Sequence, residues 1–449
     1  MEKEGLIIDF NELCSNEIAE GTEVVSIVKD DKMETYRIID TEEKLLKYIS
    51  NSTEYAEKQV RILVTFECTN ISGVFYNGIF LKRFKIDSYC EPKVEDSLYL
   101  SFDNCYFFED IELWGGDYKR IKINDSVIGK NLFIRFINCE KSRINNVIFK
   151  ENLVMENSEI GKLNVYTSKF KGDLLFQEVN ILNDFILDKI IGMHNLIFID
   201  CRFEGLSKLE LEINGQLNFY QCSFYKNSEI NFDDINGKFS LYKTNFSDKC
   251  YLEYELLENK EYEPLIFEDD LKKTKWNFLT VSDIYKSSGR TEQYLKTFYY
   301  FKRYERYERL ERKNKNKDNY NFLEYLIEIT TKYYTSWERT LLSMGLILVA
   351  FFMIYCMFPN LLIYKDTIIN SESLFVTAFK MVETSTFDIN FLVSKFGNAF
   401  YFTIITFTTV GYGDIMPLHW MKLVVSLESF LGVFFTASFV VTLSRRFLS

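Results

Sequence analysis

The chain of 449 residues has only two histidines, His194 and His419, and these lie far apart. A histidine-based zinc site or a serine, histidine and aspartate triad therefore has little material from which to form. No G-x-x-x-x-G-K-[ST] or G-x-G-x-x-G occurs, so the familiar glycine-rich phosphate cradles are missing too. The expectation is a chain that is not an enzyme and holds no cofactor. Basic residues are in deficit: 53 Lys and Arg stand against 65 Asp and Glu, a formal net charge of −12. That argues against a nucleic-acid partner, which needs a basic face against its phosphates. The nine cysteines include no CxxC pair and fit a reduced, cytoplasmic setting. The start, MEKEGLIIDFNELC, lacks a basic stretch and a sustained apolar run, so no secretory signal is expected.

What is present first is a repeat. Residues 1–59 form a separate amino-terminal segment in which TEEKLLKYI, from Thr41, reads as a capped helix start. From about Val60 to about Glu255 the windows DNCYF, NDSVI, ENSEI, YTSKF, QEVNI, IDCRF, YQCSF and YKTNF recur. Each places polar residues before a small one and ends on a large apolar one: Phe107, Ile128, Ile160, Phe170, Ile181, Phe203, Phe224 and Phe246. Successive gaps are 21, 32, 10, 11, 22, 21 and 22 residues, all near multiples of about ten to eleven. Short alternating runs such as KLNVY, DLLFQ and QLNFY lie between them, often preceded by a glycine (Gly161, Gly172, Gly192, Gly215, Gly237). Alternation sends one set of side chains inward, and glycine is expected to supply the freedom that a tight corner demands. The cysteines Cys105, Cys139, Cys201 and Cys222 are expected to pack inside the coils. The stretch resembles the pentapeptide-repeat β-helix, in a degenerate form with a coil nearer 21 than 20 residues.

Residues 256–336 read as a helical connector. The stretch Thr291 to Lys317 is a charged helix in which Glu305 precedes Arg309, and Glu308 precedes Arg312, by four residues. A second, aromatic helix is expected from Asn321 through Trp337, placing Tyr333, Tyr334 and Trp337 at headgroup depth.

Residues 337–449 carry two long apolar runs. Thr340 to Phe358 has nineteen residues without a charge, and Leu423 to Leu443 has 21 interrupted only by Glu428. Lys332 and Arg339 precede the first and Arg445 and Arg446 follow the second, which places both termini in the cytoplasm. Between them Ala399 to Phe407 is too short to cross. It reads as a helix capped by Asn398 that enters half-way and aims its negative end at the membrane centre. Irregular backbone at that depth is tolerated where it lines a water or ion path.

After this helix comes TTVGYGD, Thr408 to Asp414. Together with the flanking spans it resembles the pore signature of two-transmembrane-segment potassium channels, in which carbonyl oxygens replace the hydration shell of the ion. The resemblance implies a homotetramer in the lipid bilayer of the cell membrane, with K+ as the permeant ion held at Thr409, Val410, Gly411 and Tyr412. Gly413 completes the filter, and Thr408 and Asp414 support it; Glu428, a carboxyl at membrane depth, is read as a brace behind the filter, with a cation-attracting role also open. Gly432 falls where that family has a hinge glycine in its inner helix, and a packing role for it is equally open. There is no arginine-rich voltage sensor, and only six residues follow Leu443, so regulation is expected from the amino-terminal side. The expected fold class is a multidomain membrane protein: a cytoplasmic right-handed β-solenoid, residues 60–255, plus an α-helical pore domain with two transmembrane segments. An unidentified cytoplasmic ligand or protein would meet the solenoid. Two other readings stay open: a membrane-tethered interaction scaffold with a vestigial pore, and a non-selective cation channel.

Overall fold

The computed structural model describes residues 24–29, 32–39, 73–81, 83–87, 98–192, 194–247, 249–316, 322–364, 367–383 and 388–447. The helix start expected at Thr41 lies outside them. The chain divides into two compact units, Met1–Thr297 and Phe298–Ser449.

The first unit is a β-solenoid. Parallel strands stack coil upon coil, eight of them on one face, which makes about seven turns. On that face Ile111, Leu132, Leu153, Leu174, Leu196, Leu217 and Phe239 follow one another in register, so each coil has 21 or 22 residues. All seven are buried, because period-2 alternation turns the same positions inward in every coil. The hairpin Val24–Lys29 with Lys32–Ile39 joins the stack by pairing Arg37 with Gly78.

The repeat windows acquire a structural meaning. In each of the eight, the second residue has left-handed backbone (Asn104, Asp125, Asn157, Thr167, Glu178, Asp200, Gln221, Lys243). The third, small residue is buried directly after this corner. The apolar ends fall into two ladders on different sides of the coil. Phe107, Ile128, Phe149 and Phe170 form one. Tyr118, Cys139, Ile160, Ile181, Phe203, Phe224 and Phe246 form the other. Gaps of 10 and 11 are half-coils between ladders, and the gap of 32 hides two members, Cys139 and Phe149. Rings stack along the ladders, with centroids 4.3 Å apart for Phe203 and Phe224 and 4.4 Å for Phe149 and Phe170.

The glycine expectation is corrected. Polar residues, chiefly Asn and Asp, take most of the left-handed corners, since their short side chains tolerate that region. Of the five glycines only Gly192 is left-handed, at φ 81°; the others lie where successive coils touch: a Cβ at Gly237 would sit 1.5 Å from the Gly215 carbonyl oxygen, and one at Gly215 1.6 Å from that of His194. Cys139 is also not in the small corner position that Cys105, Cys201 and Cys222 occupy; it is a rung of the second ladder. All four are buried.

A second device keeps the coils in register. The side-chain oxygens of Asp110, Asn131, Asn152, Asp173 and Asn195 each accept the backbone amide of the corresponding residue one coil on, at 2.8–3.2 Å. A slip of one residue would break every rung.

Helix α1, Glu255–Asn259, follows the last strand, and α2, Leu271–Ser287, closes the stack. Asn277 of α2 is fully buried, and its Oδ1 accepts the Leu241 amide at 2.9 Å and the Ser240 hydroxyl at 3.1 Å. It takes the place of the next coil's acceptor. Helix α3, Thr291–Asn316, runs across the division at 297/298. The expected Glu305–Arg309 and Glu308–Arg312 pairs form along it.

In the second unit α4, Phe322–Thr331, lies antiparallel to α3, joined by Arg306–Glu328 at 2.5 Å and Arg309–Glu324 at 2.6 Å. The aromatic helix expected through Trp337 stops at Thr331. The Thr330 and Thr331 hydroxyls bond back to the Leu326 and Ile327 carbonyls, and Lys332, Tyr333 and Tyr334 turn left-handed. Ser336 caps a new helix, α5, Trp337–Met357, and Pro359 follows its end. Then come α6, Leu374–Glu383, which the sequence reading did not foresee, α7, Ile389–Phe407, and α8, Met421–Phe447. Among the described residues, helices α5 and α8 are the two long and apolar enough to cross a membrane.

Candidate functional site

The site is assembled around the carboxyl end of α7. This helix begins ten residues before the expected start, because Asp388 rather than Asn398 caps it: its Oδ1 accepts the Asn390 and Phe391 amides at 3.0 and 3.2 Å. Gly397 and Asn398 are interior. A glycine there costs about 1 kcal/mol, less than the cap and the apolar turns on either side supply.

Beyond Phe407 the chain folds back on the helix end. Thr408 donates to the Ile404 carbonyl from both its amide, 2.9 Å, and its hydroxyl, 2.7 Å. The Thr409 amide donates to Thr406 O at 3.0 Å and the Gly411 amide to Ile405 O at 3.1 Å. The helix's last carbonyls are thereby engaged by the loop that follows. Thr409, Gly411 and Gly413 have φ of 58°, 51° and 76°. Left-handed residues thus alternate with residues that are not. The two glycines meet this need without strain, whereas Thr409 takes it as a β-branched residue, for which left-handed backbone is unusual.

Residues 408–413 are exposed in the single chain, Tyr412 at 73% and Val410 at 53%. Their backbone oxygens and the threonine hydroxyls are the ligands that this loop offers a cation. Among the described residues no three His, Cys, Asp or Glu side chains converge to hold a metal.

The far side of the loop is anchored by a small sheet absent from the sequence reading. Ile415–Pro417 pairs antiparallel with Leu362–Tyr364, which pairs in turn with Thr367–Ile368. The Leu418 amide adds a bond to Leu361 O at 2.8 Å. The only sequence signal was the short apolar run LLIY after Pro359.

Helix α8 supports the loop from beneath. Its Ser429 hydroxyl donates to Thr406 O at 3.4 Å, and a Cβ at Gly432 would lie 1.9 Å from Phe407 O. Gly432 is therefore a point of backbone contact inside an unbroken helix. Glu428 is fully buried and accepts a hydrogen bond from the Tyr355 hydroxyl of α5, whose ring lies 5.0 Å from Phe402 of α7. One carboxylate thus ties the two long helices behind α7. The sequence-predicted residues Thr408 to Asp414, Glu428 and Gly432 are brought to one place. Tyr355, Thr406 and Ser429 were missed; the polar and small residues Glu428, Ser429 and Gly432 in an apolar helix were the available signal.

Comparison with known proteins gives one match, in which residues 371–449 fit the ion-channel family model Ion_trans_2. No curated protein and no solved structure matches the chain. The matched residues contain α6, α7, the exposed loop and α8, and α5 precedes them. The carboxyl-terminal residues 371–449 of this chain are thus similar to an ion channel domain and follow a β-solenoid in the sequence.

Proposed function

We propose that the chain is a potassium-selective channel that works as a homotetramer, with K+ as permeant ion and no catalytic activity. The observation that carries the reading is the loop Thr409 to Gly413: TVGYG, with alternating left-handed residues, bare in one chain, between α7, whose last turns are buried, and the membrane-long α8. Alternation of backbone hand is how successive carbonyls come to face one side, instead of opposite sides as in a strand. Four such loops around an axis would replace the hydration shell of K+ with the carbonyl oxygens of Thr409, Val410, Gly411 and Tyr412, and with the Thr409 hydroxyl at the inner end. Gly413 turns the chain out of the filter, and Asp414 adds negative charge at the outer mouth. The exposed Val410 and Tyr412 side chains are covered by the neighbouring subunits.

In this reading α5 and α8 span the cell membrane and α7 enters half-way. Lys332, Arg339, Arg445 and Arg446 keep both ends cytoplasmic. The solenoid, of pentapeptide-repeat type, stands in the cytoplasm and gates or localises the pore.

Purified full-length protein in liposomes tests the proposal. It should pass K+ and exclude Na+, and Gly411→Ala should abolish selective flux with the tetramer still assembled, since an added Cβ resists a φ of 51°. Equal Na+ flux in the wild type would make it a non-selective cation channel. Absence of any flux would leave a scaffold with a vestigial pore.

A further inference from the structure

Lys332, Tyr333 and Tyr334 are three consecutive non-glycine residues with φ of 48°, 57° and 62°. Each costs on the order of 1 kcal/mol, so such a run persists only where neighbours hold it. The contacts identify the holder. Arg445, in the last turn of α8, donates from Nη1 to the Tyr333 carbonyl at 3.2 Å, and its guanidinium lies 5.1 Å from the Phe298 ring. The turn is packed further by Lys332 over Tyr299 at 5.5 Å and by the Tyr299 and Tyr333 rings at 6.3 Å. Arg446 lies 5.9 Å from the ring of Trp337, the first residue of α5. One end of α8 is therefore tied to the second unit's first residue and to the joint that enters the first long helix.

We infer that Arg445 is a positioning residue that latches the carboxyl end of α8 to the left-handed turn 332–334, so that displacements of α3 and α4 reach the end of α8 directly at this joint. The inference rests on the channel reading, in which α8 lines the pore. The ordinary alternative is a cation that anchors a helix end at the membrane surface and complements its dipole. Lysine fills that role as well as arginine does. It cannot donate a directed N–H to Tyr333 while laying a planar cation on Phe298.

Single-channel recording of the full chain separates the two. Arg445→Lys and Arg445→Gln should each shift open probability about fivefold or more, the effect of losing one charge-assisted hydrogen bond. Unitary current and K+ over Na+ permeability should stay as in the wild type. Wild-type open probability in Arg445→Lys, or a changed unitary current, overturns the latch. A second variant, Tyr333→Cys with Arg445→Cys, is treated with a short bis-maleimide. The reagent should bridge the two thiols within one chain, seen by mass spectrometry, and restore wild-type open probability, whereas N-ethylmaleimide should not. Failure to bridge, or bridging without restoration, overturns it. If the wild type passes no ion, the channel reading falls and the gating latch with it, while the bridge still reports whether the contact exists.

Discussion

Glu428 is completely buried in a helix that is otherwise apolar, and the Tyr355 hydroxyl donates to it. Removing one partner of a buried polar pair strands the other, whereas removing both need not. Tyr355→Phe should therefore destabilise the protein by about 1–3 kcal/mol. Adding Glu428→Leu to that variant should restore part of the loss. Thermal unfolding in detergent of the two singles and the double measures this, and simple additivity would mean that the residues do not act as a pair. Gly432 makes a different kind of contact. A methyl group 1.9 Å from Phe407 O must push the end of α7, and the filter loop with it, out of place. Gly432→Ala should thus lower the K+ over Na+ permeability ratio. Gly345→Ala in α5, where an added Cβ meets nothing within 4 Å, is the control and should leave the ratio unchanged.

At the scale of elements, a stack of parallel strands must end somewhere, and its last edge would present unpaired amides and carbonyls. Helix α2 resolves this at the carboxyl-terminal end of the solenoid through Asn277, which also donates from Nδ2 to Leu265 O at 3.0 Å. An apolar residue of similar size would leave the Leu241 amide buried without an acceptor. Asn277→Leu should cost about 1–3 kcal/mol or more in a urea unfolding experiment on the solenoid unit. The half-buried Asn218, one coil earlier on the same face, accepts the Lys273 ammonium at 3.2 Å in place of a buried amide, so Asn218→Leu should cost less.

At the scale of the whole molecule, the last solenoid strand ends at Leu252, yet the first compact unit runs on to Thr297 because α2 is its lid. A truncation at residue 255 would strip α2 of the strands it covers and expose Phe278, Val281 and Tyr285, all fully buried. Removal of residues 1–290 spares the second unit entirely. On the channel reading proposed above, that truncated chain should form tetramers by size and select K+, with an open probability different from that of the full chain. An open probability identical to wild type under every stimulus applied would make the solenoid an anchor and not a gate.

How much was legible in the sequence follows from the range of the forces involved. Two apolar runs, a five-residue window repeating at ten or eleven residues, and the TVGYG loop are local patterns, and burial acts on them wherever the chain goes. They suffice to set a solenoid, two membrane-long helices and the place of the site. What no local pattern contains is which distant groups meet. The windows look alike, but only strand pairing sorts them into two ladders and reveals Cys139 and Phe149 as the hidden members. Asp388 and Asn398 are both caps by type, and only the structure shows that the Asp388 carboxylate meets the Asn390 and Phe391 amides. The strand Ile415–Pro417 is too short to be read until Leu362–Tyr364 lies beside it. Gly432 passes for a hinge until the Phe407 carbonyl is found against it, and Arg445 for a surface cation until Tyr333 is, 112 residues away. Residue type sets what each group requires, and only the tertiary structure decides which partner supplies it, because hydrogen bonds and backbone contacts act within a few ångströms of space rather than of sequence.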